Sequence, residues 1–341
     1  MNLARGSRTA AFLLPAAFVF ILGISRLAGP QPAQSRVITI GAMAPGTSWY
    51  VFAATLANLL EHNLPPGNAV EVIARGGAIG NPMLVERGRA TIAIAQVATA
   101  VWAWEGDRRA FRGLPHRNIR ALAGGLNSVW ITALVRADYV ARTGNDTLEK
   151  ALRSNRPPRI IMKPPGSTVP IVADMILETY GTSRDHLKAR GGEVIQVSAN
   201  QIADMLRDGR ADLYFETAIR GHPTVTEVAT TVPVRFLDFS DELLAMLARR
   251  GLKPSPLPAW FKGQQAPAKA ADCGTVLIAH KDLPDDLAYL ITKTICENRE
   301  TMVRAHKAWA DFDPAQGGRI EATGIALHPG AARYYREKGW L

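Results

Sequence analysis

The feature that most constrains the fold of this chain is a repeated arrangement of strand end, loop and helix. Ile40 ends a β-branched run, and a Gly-Arg-Ala tripeptide begins 48 residues later at Gly88. Met162 ends a similar run, and a second Gly-Arg-Ala begins 47 residues later at Gly209. The two spacings predict two similar α/β lobes, each with a helix N-terminus beside a strand end. Two such lobes facing each other would enclose a cleft suited to a small anion.

Hydrophobic periodicity predicts the order β-α-β-α-β in each copy. The first copy has expected strands at residues 37–40, 70–73 and 92–95, with a helix at 49–60 and a loop at 75–81 that turns into a helix through Glu86. The second has expected strands at 159–162, 193–197 and 211–215, with helices at 168–180 and 199–207. This order favours parallel sheets with right-handed crossovers.

The segments outside the two copies are expected to connect the lobes. Residues 129–136 and 275–279 are predicted to be hinge strands, and the Pro-rich residues 253–267 a long loop. The prediction is therefore a two-lobed α/β protein with hinge strands and an interlobe ligand cleft. Its domains are a signal or anchor with linker at 1–35, lobe I at 36–136 plus 273–341, and lobe II at 137–272.

The N-terminus indicates export. Arg5 and Arg8 precede an apolar run at residues 10–24, which is the pattern of a secretory signal. The run is shorter than the roughly 20 residues that a spanning helix needs. No clear cleavage motif follows, so removal of the signal and its retention as an anchor both stay open. We expect a periplasmic protein. The periplasm is oxidising and would permit a disulfide between Cys273 and Cys296, so both the paired and the free state of these cysteines stay open.

Composition and motifs narrow the class of function. The net charge of +10 suits an acidic ligand. The chain lacks the basic runs with interleaved aromatic residues that are typical of nucleic-acid binding. It also lacks G-x-S-x-G, H-E-x-x-H, Walker and G-x-G-x-x-G motifs, and its histidines show no metal-ligand spacing. We therefore expect a binding protein without catalytic residues, metal or cofactor.

Candidate ligand-binding residues lie in the loops that open helices, at strand ends and among nearby aromatic residues. Helix N-termini offer free N–H groups to an anion, but the same hydroxyl residues also cap helices. Arg75 is either a carboxylate contact or a surface residue, and Glu216 accepts either a ligand ammonium or Arg220. Asn81 either caps or binds, and the aromatic residues either pack in the core or line the cleft. The candidates are Thr47, Ser48, Tyr50, Arg75, Gly77, Ala78, Asn81, Gln96, Lys163, Gly166, Ser167, Thr168, Glu216, Thr217, Trp260 and Phe261.

Several of these motifs together resemble a known family. The motifs are Gly46-Thr47-Ser48-Trp49-Tyr50, residues 75–81, Gly88-Arg89-Ala90-Thr91 with Gln96, residues 165–168 and 208–212, Gly221-His222-Pro223 and residues 327–335. In order and spacing they resemble the TAXI-type solute-binding subunits of TRAP (tripartite ATP-independent periplasmic) transporters. The chain departs from that pattern at Arg75 and Ala78, where small hydroxyl residues are common, and at Trp260-Phe261, which replaces Gly-x-Tyr.

The resemblance implies a type II periplasmic binding protein fold. It also implies capture of a small carboxylate, glutamate-like or dicarboxylate, by lobe closure, and delivery to an ion-gradient-driven TRAP permease. Two alternatives stay open: a periplasmic sensory module that reports to a receptor kinase, and an exported enzyme on the same scaffold. The sequence does not identify the ligand, the permease, the oligomeric state or the lobe boundaries to the residue.

Overall fold

The computed structural model describes residues 37–341. The expected signal or anchor at residues 1–35 lies outside this range. In chain order the strands are β1 Val37–Gly41, β2 Ala69–Ile73, β3 Ile92–Ala95, β4 Ile119–Ala123, β5 Trp130–Arg136, β6 Arg159–Met162, β7 Glu193–Gln196, β8 Leu213–Ala218, β9 Val234–Leu237, β10 Lys253–Leu257, β11 Ala268–Asp272 and β12 Val276–His280.

The helices alternate with these strands through most of the chain and close it after β12. They are α1 Ser48–Asn63, α2 Gly77–Glu86, α3 Val97–Glu105, α4 Arg108–Phe111, α5 Ala137–Thr143, α6 Leu148–Arg153, α7 Val169–Thr179, α8 Arg184–Ala189, α9 Ala199–Arg207, α10 Pro223–Thr231, α11 Asp241–Ala248, α12 Asp285–Glu297, α13 Arg299–Ala305, α14 Ile320–Thr323 and α15 Pro329–Glu337. Two 3-10 helices, Lys307–Asp311 and Pro314–Gln316, lie between α13 and α14. Within residues 37–341 no helix is both long and apolar enough to cross a bilayer.

The predicted repeat is present as two sheets with a common pattern. The first sheet has the order β2-β1-β3-β12-β4, and the second contains the path β10-β11-β5-β8-β6-β7, with β9 beside β5. In the first sheet β1 pairs in parallel with β2 and β3, and β12 runs antiparallel beside β3. In the second, β6 pairs in parallel with β7 and β8, and β5 runs antiparallel beside β8. Each lobe is thus built on the same three parallel strands with one antiparallel neighbour.

The chain passes between the sheets twice. Residues 124–129 lead from β4 in the first sheet to β5 in the second, and residues 273–275 lead from β11 back to β12. Strand β5 therefore belongs to the second sheet, whereas our expected lobe boundary at residue 136 assigned it to lobe I. Strand β12 lies in the first sheet, as the prediction of a returning strand required.

The segment at residues 253–267 differs from the predicted loop. Its first residues form β10, which pairs antiparallel with β11 at the edge of the second sheet. Proline normally disfavours a strand because it has no N–H to donate. Here Pro254 and Pro256 stand two positions apart on an edge strand and are both exposed. An edge strand has one side on which no ladder donor is needed. An edge strand tolerates this arrangement, and for that reason the Pro-rich sequence did not reveal it.

The core explains why the two copies have similar strands. All four residues of β3 are buried, as expected for a parallel strand covered on both faces. One apolar cluster extends across both lobes, from Phe52 and Trp309 to Phe239 and Leu247. A second cluster lies on the other side of the second sheet. Both cysteines, Cys273 and Cys296, are buried free thiols, so the permitted disulfide is not formed.

Candidate functional site

A cavity of about 70 Å³ lies between the two lobes. The first sheet contributes loop residues that follow its parallel strands, and the second sheet contributes the equivalent residues from the opposite side. The lining residues are Met43, Gly46, Thr47, Ser48, Trp49, Ala78, Gln96, Val129, Lys163, Ser167, Thr168, Ala199, Thr217, Ile219, His222, Pro223 and Thr224. The cavity is thus at the carboxyl ends of the parallel strands, where open α/β sheets bind ligands.

Helix N-termini converge on this cavity from both lobes. In the described part of the chain, six helices contribute lining residues from their N-cap or first turn: α1, α2, α3, α7, α9 and α10. The first N–H groups of a helix have no intrahelical acceptor, and the helix dipole adds partial positive charge there. Several such ends around one space favour an anion or an ionised carboxylate.

Local sequence explains why these helices start where they do. Thr47 caps α1 by accepting a hydrogen bond from the Tyr50 N–H at 3.3 Å. Ser198 forms a capping box with Gln201 at the start of α9. His222 caps α10, with Nδ1 accepting from the Val225 N–H at 3.3 Å, and Pro223 occupies the first helical position. Each cap sets a helix start beside a strand end, which places the helix dipole at the cavity.

Lys163, which lines the cavity, forms a buried ion pair with Glu216, which lies outside the lining. Lys163 Nζ lies 2.9 Å from Glu216 Oε1, and their side chains are 12% and 0% exposed. The Tyr214 hydroxyl donates to Glu216 Oε2 at 2.6 Å, and the Thr217 N–H and hydroxyl donate to Oε1. Burial opposes ionisation of Glu216, but the charge of Lys163 and the hydrogen bonds from Tyr214 and Lys163 lower the pKa of the carboxyl below its ordinary value. The carboxylate therefore offsets the charge of Lys163, which is the formally charged residue among the described cavity-lining groups.

Two histidines add neutral hydrogen-bonding groups. Burial and the charge of Lys163 lower the pKa of His222 to about 4, so its ring is neutral at pH 7. Since Nδ1 accepts from Val225, the proton of the neutral ring is on Nε2. On the first lobe, His306 Nε2 lies 3.2 Å from Ser48 Oγ, and burial lowers the pKa of His306. His222 lines the cavity and adds no charge to it at pH 7, while His306 contacts the lining residue Ser48 from outside the lining.

Hydrogen bonds join the lobes beside the cavity, so the conformation is closed. The Thr168 hydroxyl, at the start of α7, donates to Gln96 Oε1 at the end of β3. The Ile79 N–H in α2 donates to the Gly166 carbonyl at 3.3 Å. Gly77 has φ +78°, and a Cβ there would lie 3.1 Å from Gly166 O. Glycine at position 77 therefore permits both the left-handed backbone and the close contact between lobes.

Eight of the sequence-predicted site residues line the cavity and eight do not. Those that line it are Thr47, Ser48, Ala78, Gln96, Lys163, Ser167, Thr168 and Thr217. Gly77 and Gly166 form the contact between lobes, and Glu216 pairs with Lys163 instead of Arg220. Asn81 is buried and donates to the Ile94 carbonyl at 2.7 Å, which gives it a structural contact.

The remaining predicted residues lie elsewhere. Phe261 is buried in the second-lobe core and stacks on Phe236, with ring centroids 5.8 Å apart. Trp260 packs against that core and contacts Trp130. Arg75 is exposed and Tyr50 half-buried, and both are outside the cavity lining.

The sequence reasoning missed part of the second lobe's contribution. Trp49, one of the aromatic residues for which the sequence left core and cleft open, lines the cavity. The lining residues outside the prediction are Met43, Gly46, Val129, Ala199, Ile219, His222, Pro223 and Thr224. A usable signal was present for two of the helix starts. Ser198 with Gln201 has the spacing of a capping box, and His222-Pro223 places proline at a first helical position directly after a strand.

Comparisons with known proteins agree with this architecture. Residues 40–339 match the model of the NMT1-like family, and the chain belongs to that family. PhnD1 from Prochlorococcus marinus (MIT 9301), solved in complex with methylphosphonate, has a TM-score of 0.53 and 11% identity to the chain, with 89% of this chain and 99% of that chain covered. The alkanesulfonate-binding protein SsuA from Xanthomonas axonopodis pv. citri, bound to MOPS, has a TM-score of 0.44 and 13% identity, with 89% and 84% covered. The predicted fold, two α/β lobes of the periplasmic binding protein type, is confirmed.

Proposed function

We propose that this protein is an extracytoplasmic solute-binding protein that captures a small carboxylate between its lobes and delivers it to a membrane permease. The observation that carries the proposal is the convergence of six helix N-termini and Lys163 on one interlobe cavity. Free N–H groups from both lobes would hold the two oxygens of a carboxylate without a dedicated side-chain charge.

The charge balance supports a singly charged ligand. Lys163 is offset by Glu216, and His222 is neutral at pH 7, so the cavity has little formal charge of its own. The remaining positive potential comes from helix ends, each equivalent to roughly half an elementary charge. A monocarboxylate therefore matches the site better than a solute with several charges.

The volume supports a small ligand. An engineered apolar cavity of about 150 Å³ holds benzene, so a cavity about half that size suits a compound with roughly half as many heavy atoms. Within the carboxylates that the TAXI resemblance implies, the cavity of about 70 Å³ favours the shortest over glutamate or longer dicarboxylates in this closed conformation.

Lobe closure supplies the binding mechanism. A ligand that bridges helix ends of both lobes binds the closed state more tightly than the open state, and it shifts the equilibrium by that difference in affinity. The Thr168 to Gln96 and Ile79 to Gly166 hydrogen bonds stabilise the same closed state. The closed surface is then the form that a permease would distinguish. A TRAP-type permease is the partner that the sequence resemblance implies, and ligand-dependent uptake by cells with and without this protein tests it.

The ligand class is tested by calorimetry on the full-length chain, refolded from denaturant to remove carried-over solute. The probes are acetate, glycolate, succinate, glutamate and methylphosphonate. A ligand at a hundred times its dissociation constant adds about 2.7 kcal/mol of stability, so melting temperature gives a second readout. We expect acetate or glycolate to bind most tightly and to be recovered unchanged. Binding of methylphosphonate without any carboxylate would exclude the proposed ligand class, and chemical turnover would favour the enzyme alternative.

The matched variant is the double substitution Lys163→Met/Glu216→Gln. Replacing Lys163 alone would leave Glu216 as a buried unpaired charge, which destabilises a protein by about 3–5 kcal/mol. The double substitution removes both charges and, with them, the N–H donors that Lys163 presents to the cavity. Because that donor is lost, we expect acetate binding to weaken at least tenfold while the protein stays folded. Arg159→Met/Asp212→Asn removes another 2.9 Å ion pair outside the cavity and serves as the control. If the two double substitutions change acetate affinity equally, Lys163 is not part of the ligand site.

A further inference from the structure

The cavity between the lobes contains a side-chain amide whose N–H groups no described residue uses. Gln96, at the end of β3, lines the cavity and is only 3% exposed. Its Oε1 accepts from the Thr168 hydroxyl, which orients the amide. Its Nε2 has no acceptor among the described residues, and this atom keeps accessible surface. A nearly buried amide therefore offers both of its N–H groups to a ligand in the cavity.

The second lobe adds donors from His222 and Lys163, which also line the cavity. His222 Nδ1 accepts from the Val225 N–H, so the proton is on Nε2, which is accessible and has no acceptor in the described part of the chain. Lys163 Nζ lies 2.9 Å from Glu216 Oε1, and an ammonium group has further N–H donors beyond that contact. The two lobes thus present N–H donors from three side chains to the same space.

The cavity has no carboxylate to match these donors. No Asp or Glu is among its lining residues within residues 37–341. Glu216 lies outside the lining, and its side chain is fully buried. Its oxygens already accept from Lys163, Tyr214 and Thr217, which occupies the lone pairs of the carboxylate. A ligand ammonium in this cavity would therefore lie near Lys163 without a counter-charge.

The cavity does have neutral acceptors. Thr168 and Thr217 line it, and their hydroxyls donate to Gln96 and Glu216, respectively. Because each hydroxyl oxygen also has lone pairs, it can accept a hydrogen bond from a ligand O–H. A ligand hydroxyl both donates and accepts, so it matches a space that combines N–H donors with threonine oxygens.

We propose that the ligand is a short 2-hydroxy monocarboxylate and that the cavity excludes 2-amino acids. The helix N-termini hold the carboxylate, and Gln96 Nε2 and His222 Nε2 donate to the hydroxyl oxygen on C2. The ligand O–H donates to a threonine oxygen. An amino acid would instead place an ammonium group near Lys163, where like charges repel. This inference rests on the proposed carboxylate function, and it excludes the glutamate-like ligands that the TAXI resemblance implies.

The first experiment compares glycolate, acetate and glycine by calorimetry on the refolded full-length chain. Glycolate and glycine differ at C2, where one has a hydroxyl and the other an ammonium, and acetate has neither group. We expect acetate to bind about tenfold more weakly than glycolate, and glycine about a hundredfold more weakly. Glycine or acetate binding as tightly as glycolate would overturn this inference and leave the carboxylate function standing. Saturable binding of none of the three would overturn both.

The second experiment reverses the chemistry of the free amide. Gln96→Glu keeps an oxygen for the Thr168 hydroxyl but replaces the free N–H groups by a carboxylate oxygen. We expect the preference for glycolate over glycine to fall at least about tenfold, because the ammonium of glycine gains a counter-charge. Gln265→Glu, the same change at an exposed position outside the cavity, should keep the wild-type preference. The wild-type preference in Gln96→Glu would overturn the role of Gln96.

The third experiment tests His222 through a ratio of affinities. His222→Asn removes the Nε2–H but keeps a residue type that caps α10. The advantage of glycolate over acetate should fall from about tenfold to about threefold or less, because one donor to the C2 hydroxyl is lost. A change in stability alone would not move this ratio, since both ligands have the same carboxylate. His186→Asn, at an exposed position on α8, is the control. An unchanged ratio in His222→Asn would refute the assignment of His222 to the hydroxyl.

Discussion

Lys163 and Glu216 form an ion pair at 2.9 Å because the register of two parallel strands places them side by side. Strand β6 pairs with β8 so that Ile160 is opposite Leu213 and Ile161 is opposite Tyr214. Continuing that register by two residues sets position 163 opposite position 216. The pair is therefore a product of the sheet, although the two residues are 53 positions apart in the chain.

We expect Glu216→Gln to strengthen carboxylate binding and to weaken the fold. The substitution gives the cavity the uncompensated charge of Lys163, so acetate affinity should rise about tenfold. It also leaves Lys163 without its ionic partner in a largely buried position, which should cost about 3 kcal/mol of unfolding free energy. Calorimetry with acetate and urea denaturation measure the two effects. Glu178→Gln, the control, breaks an exposed ion pair with Arg109 and should leave both acetate affinity and the free energy of unfolding nearly unchanged. Weaker acetate binding by Glu216→Gln would show that Glu216 contributes more than charge compensation.

We expect Thr168→Val to open the cleft. The valine cannot donate to Gln96 Oε1, so the closed state loses one hydrogen bond between lobes, worth about 1 kcal/mol. Acetate affinity should fall about fivefold, and the radius of gyration of the ligand-free protein in solution scattering should increase. Thr179→Val, in the same helix but bonded only to the Met175 carbonyl, is the control. If both variants scatter like the wild type, the hydrogen bond does not hold the lobes closed.

We expect Gly77→Ala to prevent full closure. Alanine at φ +78° costs about 1–2 kcal/mol, and its Cβ would lie 3.1 Å from the Gly166 carbonyl of the other lobe. Gly88→Ala has a similar backbone cost at φ +63° but meets no atom within 4 Å. Both variants should therefore lose stability in urea, whereas only Gly77→Ala should lose acetate affinity. Equal affinities in the two variants would show that this contact does not limit closure.

We expect the stability of the protein to fall between pH 6.5 and pH 4, in part through His222. The folded-state pKa of His222 is about 4, below its ordinary value of 6.5, so the unfolded chain binds more protons in this interval. The stabilisation is complete above pH 6.5 and decreases as the pH falls toward 4, by at most about 3 kcal/mol.

The test of this pH dependence is His222→Asn, because asparagine keeps the N-cap of α10 but does not titrate. Urea denaturation at pH 7 and pH 4.5 should show a smaller loss of stability for this variant than for the wild type. His186→Asn, at an exposed position on α8, should lose as much stability as the wild type does. An unchanged pH dependence in His222→Asn would mean that other buried groups, such as His306, account for it.

Periodicity predicted the repeated strands and helices well, because their apolar residues are set by local geometry. The runs ending at Ile40 and Met162 became β1 and β6, and the helices after them start at the predicted loops. The same reasoning could not assign β5 to the second sheet, since strand membership depends on pairing with distant residues. It also could not identify β10, because Pro254 and Pro256 are compatible with a strand only at a sheet edge.

For the site, the loops that open helices were predictable and their surroundings were not. Thr47, Ser48, Ser167 and Thr168 have residue types that mark helix starts, so they were found from local sequence. Whether Glu216 pairs with Arg220 or Lys163 depends on sheet register, and whether Trp260 and Phe261 face the cleft or the core depends on packing.

The order of residues was therefore sufficient to establish two α/β repeats with helix N-termini at their strand ends, because hydrophobic period and capping act over a few residues. The folded molecule alone determined which of those ends meet. The register of β6 and β8 placed Glu216 against Lys163. The chain crosses between the sheets twice because β5 lies in the second sheet and β12 in the first. Closure of the lobes brought Gly77 within contact distance of Gly166. These relationships join residues far apart in the chain, and local preference carries no information about them.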